Sequence, residues 1–268
     1  MEKEDTYPLK CGKKEKMNAY LKNLEKIEFV VTNACTGRCK HCSEGEHTAP
    51  IERLDPKLAA DAVRRIAAGY SIKTVMVFGG EPLLHLSAVE SIIGAAREIS
   101  VPKRQVITNG YFTAERKRIK EVAQRLAECG VNDLLLSVDA FHQETIPLQT
   151  VRAFAEEVRE QGIPTRLQPA WLVSRFDENP YNLKTREILA SLGDLMIPES
   201  EGNVVFPEGN ALKNLGEYFK ATQPENPYVE DPADVRCISF SANGDVLGGN
   251  VYKNDILEII DRYSPYQN

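Results

Sequence analysis

Three cysteines define the chemistry open to this chain. Cys35, Cys39 and Cys42 stand in the stretch VVTNACTGRCKHC, separated by three and then two residues. Thiolates this close together can ligate zinc with a fourth partner, hold an iron–sulfur cluster, or stand as unrelated thiols. A structural zinc site closes its tetrahedron with protein, usually a second cysteine pair or a histidine a helix away. No second pair exists here, and His41, inside the loop beside Cys42, is poorly placed to join the same tetrahedron. The pattern favours an open cluster, three sulfurs holding it and one corner left for an external ligand.

Those sulfurs need a scaffold. Ile27 to Thr32 is short, apolar and β-branched, and predicts a strand that delivers the cysteine loop at its C-terminal end. A helix follows, with Asp55 as N-cap, Pro56 at N1, an inner face of Leu58, Ala62, Val63 and Ile66, and a stop at Gly69. The unit repeats. Strand Thr74 to Phe78 precedes a helix from Ser87 with Glu90 completing a capping box. Strand Gln105 to Thr108 precedes a helix from about Thr113 to Gly130, whose apolar stripe continues through Cys129 into the core. Strand Leu134 to Val138 precedes a helix from Pro147 to Gly162. Thr165 to Val173 gives a fifth strand, Leu183 to Leu192 a fifth helix, and Val204 to Phe206 a sixth strand. Alternation of this kind implies a parallel sheet, and six units imply an α/β, partial (β/α)6 TIM-like barrel. Residues 1–24 read as a surface lead-in with some helix and carry Cys11; 25–220 form the barrel. Residues 221–268 form a small C-terminal extension, a β-hairpin turning at Asn243-Gly244 followed by a helix from about Asp255 to Tyr263.

In parallel β/α folds, ligand groups collect on the loops behind the strands' C-terminal ends. The polar signatures sit there: Gly79-Gly80-Glu81-Pro82 behind the second strand, Asn109 behind the third, Ser137 and Asp139 behind the fourth. Gly79-Gly80 exposes carbonyls that an ammonium group can approach, Glu81 adds an anion, and Pro82 fixes the turn. Read blandly, these are strand-to-helix turns and end caps.

Composition narrows the class. With 268 residues, net charge −6 and a pI near 5.4, the chain is no general polyanion binder, and nucleic acid is not the expected partner. Its apolar runs are too short for a membrane span, and the charged start lacks a signal-peptide core. Six cysteines, three of them clustered, suit a reducing compartment. A cytoplasmic, oxygen-sensitive protein is expected.

CxxxCxxC, with Asn33 just ahead and a ring residue before the last cysteine, followed at a typical distance by GGEP, resembles the signature of the radical S-adenosylmethionine (SAM) superfamily. The resemblance covers residues 25 to about 212. It implies one [4Fe–4S] cluster on Cys35, Cys39 and Cys42, with SAM on the free iron. Gly79, Gly80, Glu81 and Pro82 would hold the SAM amino group, His41 would approach the adenine by its backbone, and Asn109, Ser137 and Asp139 would meet the ribose and aminocarboxylate. It further implies reductive cleavage of SAM to a 5′-deoxyadenosyl radical and hydrogen abstraction from a peptide or small-metabolite substrate, with an electron donor such as flavodoxin or ferredoxin. Phe141, His142, Gln168 and Trp171 are candidates for substrate contact. A glycyl-radical activase ranks lower, because its fourth-strand pattern carries a lysine where this chain has Ala140-Phe141. A non-catalytic iron–sulfur sensor or electron carrier would leave GGEP and Asn109 without a purpose.

The tail resembles the SPASM or twitch module of many members, in which a cysteine precedes a Gly-x-Val turn and another follows it. Cys237, Gly244 and Val246 fit that outline, but Gly248, Gly249 and Asn250 stand where the second cysteine belongs. The module shape is expected without its cluster. An unpaired Cys237 is then a remnant, a buried small residue, or the hydrogen donor of a peptide epimerase. The absence of room for a peptide-recognition domain in the lead-in counts against peptide; the retained tail counts for it.

Overall fold

The structure, a computed structural model, describes residues 17–220 and 224–265; Cys11 lies outside them. Of the lead-in, a single 3-10 turn, Ala19–Leu21, is seen, capped by the Asn18 side chain.

The chain alternates as expected through β1 (Lys26–Val30), α1 (Pro56–Gly69), β2 (Thr74–Phe78), α2 (Leu86–Glu98), β3 (Lys103–Thr108), α3 (Arg116–Cys129) and β4 (Asp133–Ser137). It continues through α4 (Ala140–Gln143), α5 (Leu148–Glu160), β5 (Thr165–Gln168), β6 (Ala170–Trp171), α6 (Pro180–Ala190), β7 (Asn203–Val204) and α7 (Gly209–Leu215). Then come β8 (Cys237–Phe240), β9 (Asp245–Val246), β10 (Gly249–Asn250) and α8 (Ile256–Arg262). The main sheet is all parallel, ordered β5-β4-β3-β2-β1-β8. This is the α/β partial barrel expected.

Local chemistry accounts for most boundaries. Asp55 accepts from Lys57 and Leu58 N–H at the start of α1, with Pro56 at N1. Gly130, at φ +99, ends α3. The capping box at Ser87 does not form: α2 begins one residue earlier, continuing from a 3-10 turn over Pro82–His85. Glu90 instead makes a two-pronged ion pair with Arg125 of α3. Cys129 is half-buried against the core rather than inside it.

Two strands differ from expectation. The fifth strand breaks at Pro169, which has no N–H to give, into β5 and β6; the sixth is only β7, parallel to β6 and tied on by Asn203 N–H to Pro169 O (2.9 Å). In the tail, β8 does not fold back into a hairpin. It pairs in parallel with the free edge of β1, satisfying ladder groups that an edge strand leaves bare. A turn does occur at Asn243-Gly244, but the antiparallel hairpin is β9–β10. It turns through Leu247 and Gly248, both at positive φ.

Strand alternation sets up the site. In β1, Ile27 and Phe29 are fully buried in the core shared with the helices, while Lys26, Glu28 and Val30 on the opposite face are half-buried. Phe78, Ile107, Ser137 and Gln168 repeat that half-buried state at the strands' C-terminal ends. No helix among the described residues is long and apolar enough to cross a membrane.

Candidate cluster and cofactor site

The loop that follows β1 is held against the loop that follows β2. Gly80 N–H donates to Thr32 O (2.8 Å) and Glu81 N–H to Ala34 O (2.7 Å). Both glycines are required. Gly79 sits at φ +143 with a hypothetical Cβ 2.5 Å from Thr32 O, and a Cβ on Gly80 would collide with Ala34 O. Gly37 lies between sulfurs: a methyl there would sit 3.2 Å from Cys39 Sγ and 3.7 Å from Cys35 Sγ, and its N–H donates to Cys35 Sγ at 3.3 Å. Cys42 Sγ faces His47 Nε2 at 3.5 Å.

A late helix clamps the same loop. Asn210, buried at the start of α7, donates from its side-chain amide to Cys39 O (3.2 Å) and Gly45 O (3.0 Å), and from its backbone to Cys42 O (2.8 Å). Gly209, at φ +51, lets the backbones meet, since a Cβ there would strike Ser43 O. Asn214 reaches Lys40 O, and Lys213 pairs with Glu46. None of these residues was legible as functional. The only sequence signal is a Gly-Asn pair opening a helix behind a strand end.

Cys35, Cys39 and Cys42 supply the thiol donor set that an iron–sulfur cluster takes. Burial pushes the Cys35 thiol up to about 11 and raises those of Cys39 and Cys42 as well. Thiolates are therefore costly here until a cationic metal centre offsets the loss of water. His41 Nδ1 is buried with no hydrogen-bond partner among the described residues, an orphan polar atom near Cys39. Burial lowers its pKa to about 4, so the ring is neutral.

Glu81 is fully buried and does not present its carboxylate to a ligand as an exposed anion. It accepts from Leu83 N–H (3.0 Å), Thr108 Oγ1 (2.7 Å) and Asn109 N–H (2.9 Å), tying β2 to the end of β3. Burial pushes its carboxyl up to about 7 against those hydrogen bonds.

The end of β4 is a packed polar knot. Asp139, also fully buried, caps α4 by accepting from Phe141 and His142 N–H (both 2.9 Å), takes His142 Nδ1–H at 2.8 Å, and accepts from Ala170 N–H at 3.0 Å. Burial alone would raise its carboxyl, but the contacts from His142, together with His41, outweigh burial and hold it down at about 2. The ligand atoms of Cys39, His41 and His142 lie within 4.8 Å of one another.

Two candidate substrate residues are packed into the protein. Phe141 is fully buried, stacked on Tyr181 (4.6 Å between centroids) and tilted against His41 (4.8 Å). Trp171 is buried with its indole N–H on Glu201 O (2.9 Å). Ser137 and Gln168 stand side by side in register on the half-buried face.

Cys237 is far from this constellation. It pairs with Lys26, at the N-terminal end of β1. Strands rise about 3.3 Å per residue, so it lies about 13 Å below the level of Val30, from which the cysteine loop departs. This placement counts against the hydrogen-donor reading of Cys237: it sits at the opposite end of the sheet, with its pKa raised by burial and by Glu28.

The family model described as the radical SAM superfamily matches residues 29–168. A probable GTP 3′,8-cyclase of Sulfolobus acidocaldarius is 31% identical over 125 residues, covering 45% of this chain and 36% of its own. A GTP 3′,8-cyclase of Listeria monocytogenes is 28% identical over 162 residues, covering 57% and 47%. The chain thus spans less than half the length of these curated relatives. Among solved structures, Streptococcus suis SuiB bound to its precursor peptide SuiA superposes with a TM-score of 0.62 at 12% identity, covering 93% of this chain and 66% of that one. The protein anSMEcpe with bound AdoMet superposes at 0.55 with 15% identity, covering 88% and 80%. At such identities the likeness is one of fold.

Proposed function

Because the chain belongs to the radical SAM superfamily and is an enzyme using one [4Fe–4S] cluster and SAM, we propose that it abstracts hydrogen from a peptide. When bound, the cluster and SAM together supply a 5′-deoxyadenosyl radical that takes a hydrogen atom from substrate. Cys35, Cys39 and Cys42 hold the cluster. The Gly79-Gly80 backbone receives the SAM ammonium group, His41 borders the adenine, and Ser137 and Gln168 offer hydrogen bonds from the inner face of the sheet. The electron donor is a protein such as flavodoxin or ferredoxin.

The observation that carries this reading is the row of half-buried residues, Val30, Phe78, Ile107, Ser137 and Gln168, on one face of the sheet at the strand ends from which the cysteine loop departs. The peptide reading is favoured by the fold shared with SuiB, whose structure holds a precursor peptide. The nucleotide reading is favoured by the relatives named GTP 3′,8-cyclase.

The test is anaerobic reconstitution with SAM and dithionite, followed by chromatography for 5′-deoxyadenosine. None formed with the cluster intact would end the enzymatic proposal. Deuterium appearing in 5′-deoxyadenosine from a deuterated peptide fraction supports the peptide reading; GTP consumed in step with SAM overturns it.

A further inference from the structure

Asn109 resembles a SAM-contacting residue in sequence, yet its side chain is spent elsewhere. It is 5% exposed. Its Oδ1 accepts from Tyr111 N–H at 2.8 Å, which fixes the orientation of the amide. The opposite end, Nδ2, carries two hydrogens and meets two acceptors, Thr36 Oγ1 at 3.2 Å and Cys35 Sγ at 3.7 Å. The Thr36 hydroxyl is itself committed as a donor to Tyr111 O (2.6 Å), so its oxygen can only receive. Every polar atom of the group is accounted for, and one N–H is left pointing at sulfur.

We propose that Asn109 acts on the cluster, donating an N–H···S hydrogen bond to Cys35 that raises the reduction potential, with Glu81 as the residue that positions it. The physical ground is general. Reduction adds negative charge that spreads onto the ligating sulfurs, and a donor aimed at sulfur stabilises the reduced state more than the oxidised one. Glu81 holds the Asn109 backbone N–H at 2.9 Å and the adjoining Thr108 hydroxyl at 2.7 Å, both within a fully buried carboxylate's reach. Cys35 thereby receives two N–H groups, from Gly37 and Asn109. This inference rests on the cluster being held by Cys35 and is independent of the substrate.

The test uses the reconstituted holoenzyme. Asn109→Ala should retain its iron and shift the midpoint, read by EPR-monitored redox titration, to lower potential. At the wild-type midpoint the ratio of reduced to oxidised cluster should fall at least threefold, about 28 mV for a one-electron couple. Full iron content with an unchanged midpoint overturns the proposal, including the case in which only SAM affinity falls, which would return Asn109 to a SAM contact. Should the variant fail to take up iron, the wild-type enzyme decides. With selectively ¹⁵N-labelled asparagine, pulsed EPR of the reduced cluster should reveal a weak ¹⁵N coupling, and its absence counts against the bond.

Discussion

The side-chain amide of Asn210 bonds the carbonyl of Cys39 at 3.2 Å, joining the second of the three clustered cysteines to a helix that begins roughly 170 residues later. With its further bonds to Gly45 O and Cys42 O, Asn210 fixes the loop's curvature from outside. Asn210→Ala removes the side-chain donor to Gly45 O and one of two donors to Cys39 O, which keeps Cys42 N–H, a cost of about 1–3 kcal/mol. Iron retained after reconstitution and gel filtration should drop by half or more, while circular dichroism stays native. Full retention would show that the loop holds its shape unaided.

The glycine contacts predict a sharper effect. Gly80→Ala drives a methyl group into Ala34 O, backbone against backbone, where no side-chain rotation brings relief. Iron uptake and 5′-deoxyadenosine formation should both fall to background. Gly69→Ala, whose added Cβ meets nothing within 4 Å, serves as the control and should behave as wild type.

Glu81 gives a pH prediction. Its carboxyl is raised to about 7 from an ordinary 4.5, so between these values the folded state holds a proton that the unfolded state has released. Stability contributed by this group is full below the unfolded value and is lost as pH rises through about 7, by up to about 3 kcal/mol. The urea midpoint of the cluster-free protein should fall between pH 5 and 8, and less steeply in Glu81→Gln. Parallel curves for the two proteins would assign the dependence to other groups.

Cysteine replacements separate the ends of the sheet. Cys35→Ser, Cys39→Ser or Cys42→Ser should abolish 5′-deoxyadenosine formation, whereas Cys237→Ala, about 13 Å down the strand direction, should leave it unchanged. Loss of activity in Cys237→Ala, with iron content intact, would restore a chemical role to that thiol.

The barrel and its cysteine loop were legible because they are written in local patterns: apolar strands, capped helices, clustered thiols and a glycine pair. Asp55, Pro56 and Gly130 act where their chemistry predicts. What stayed hidden depends on residues far apart in sequence. Nothing local says that CISF will seek the edge of β1 instead of folding back, because both choices satisfy the same alternating pattern. Asn210 looks like any helix-start asparagine, and Asn109 like any strand-end cap; only the fold shows which carbonyl or sulfur each one faces. Phe141 and Trp171 are hard to place from sequence for a related reason, since an aromatic beside a site is equally suited to the packing beneath it.

The parallel pairing of β8 with β1 also has a meaning for the order of events during synthesis. The strand that delivers the cysteines emerges early, but its second neighbour is made roughly two hundred residues later, some 10–40 s at ordinary ribosomal speeds. Until then β1 has an open edge, and the pairing must close a very long loop, a slow non-local step. The strand that carries the cysteines thus gains its second neighbour only long after the loop it delivers has been made.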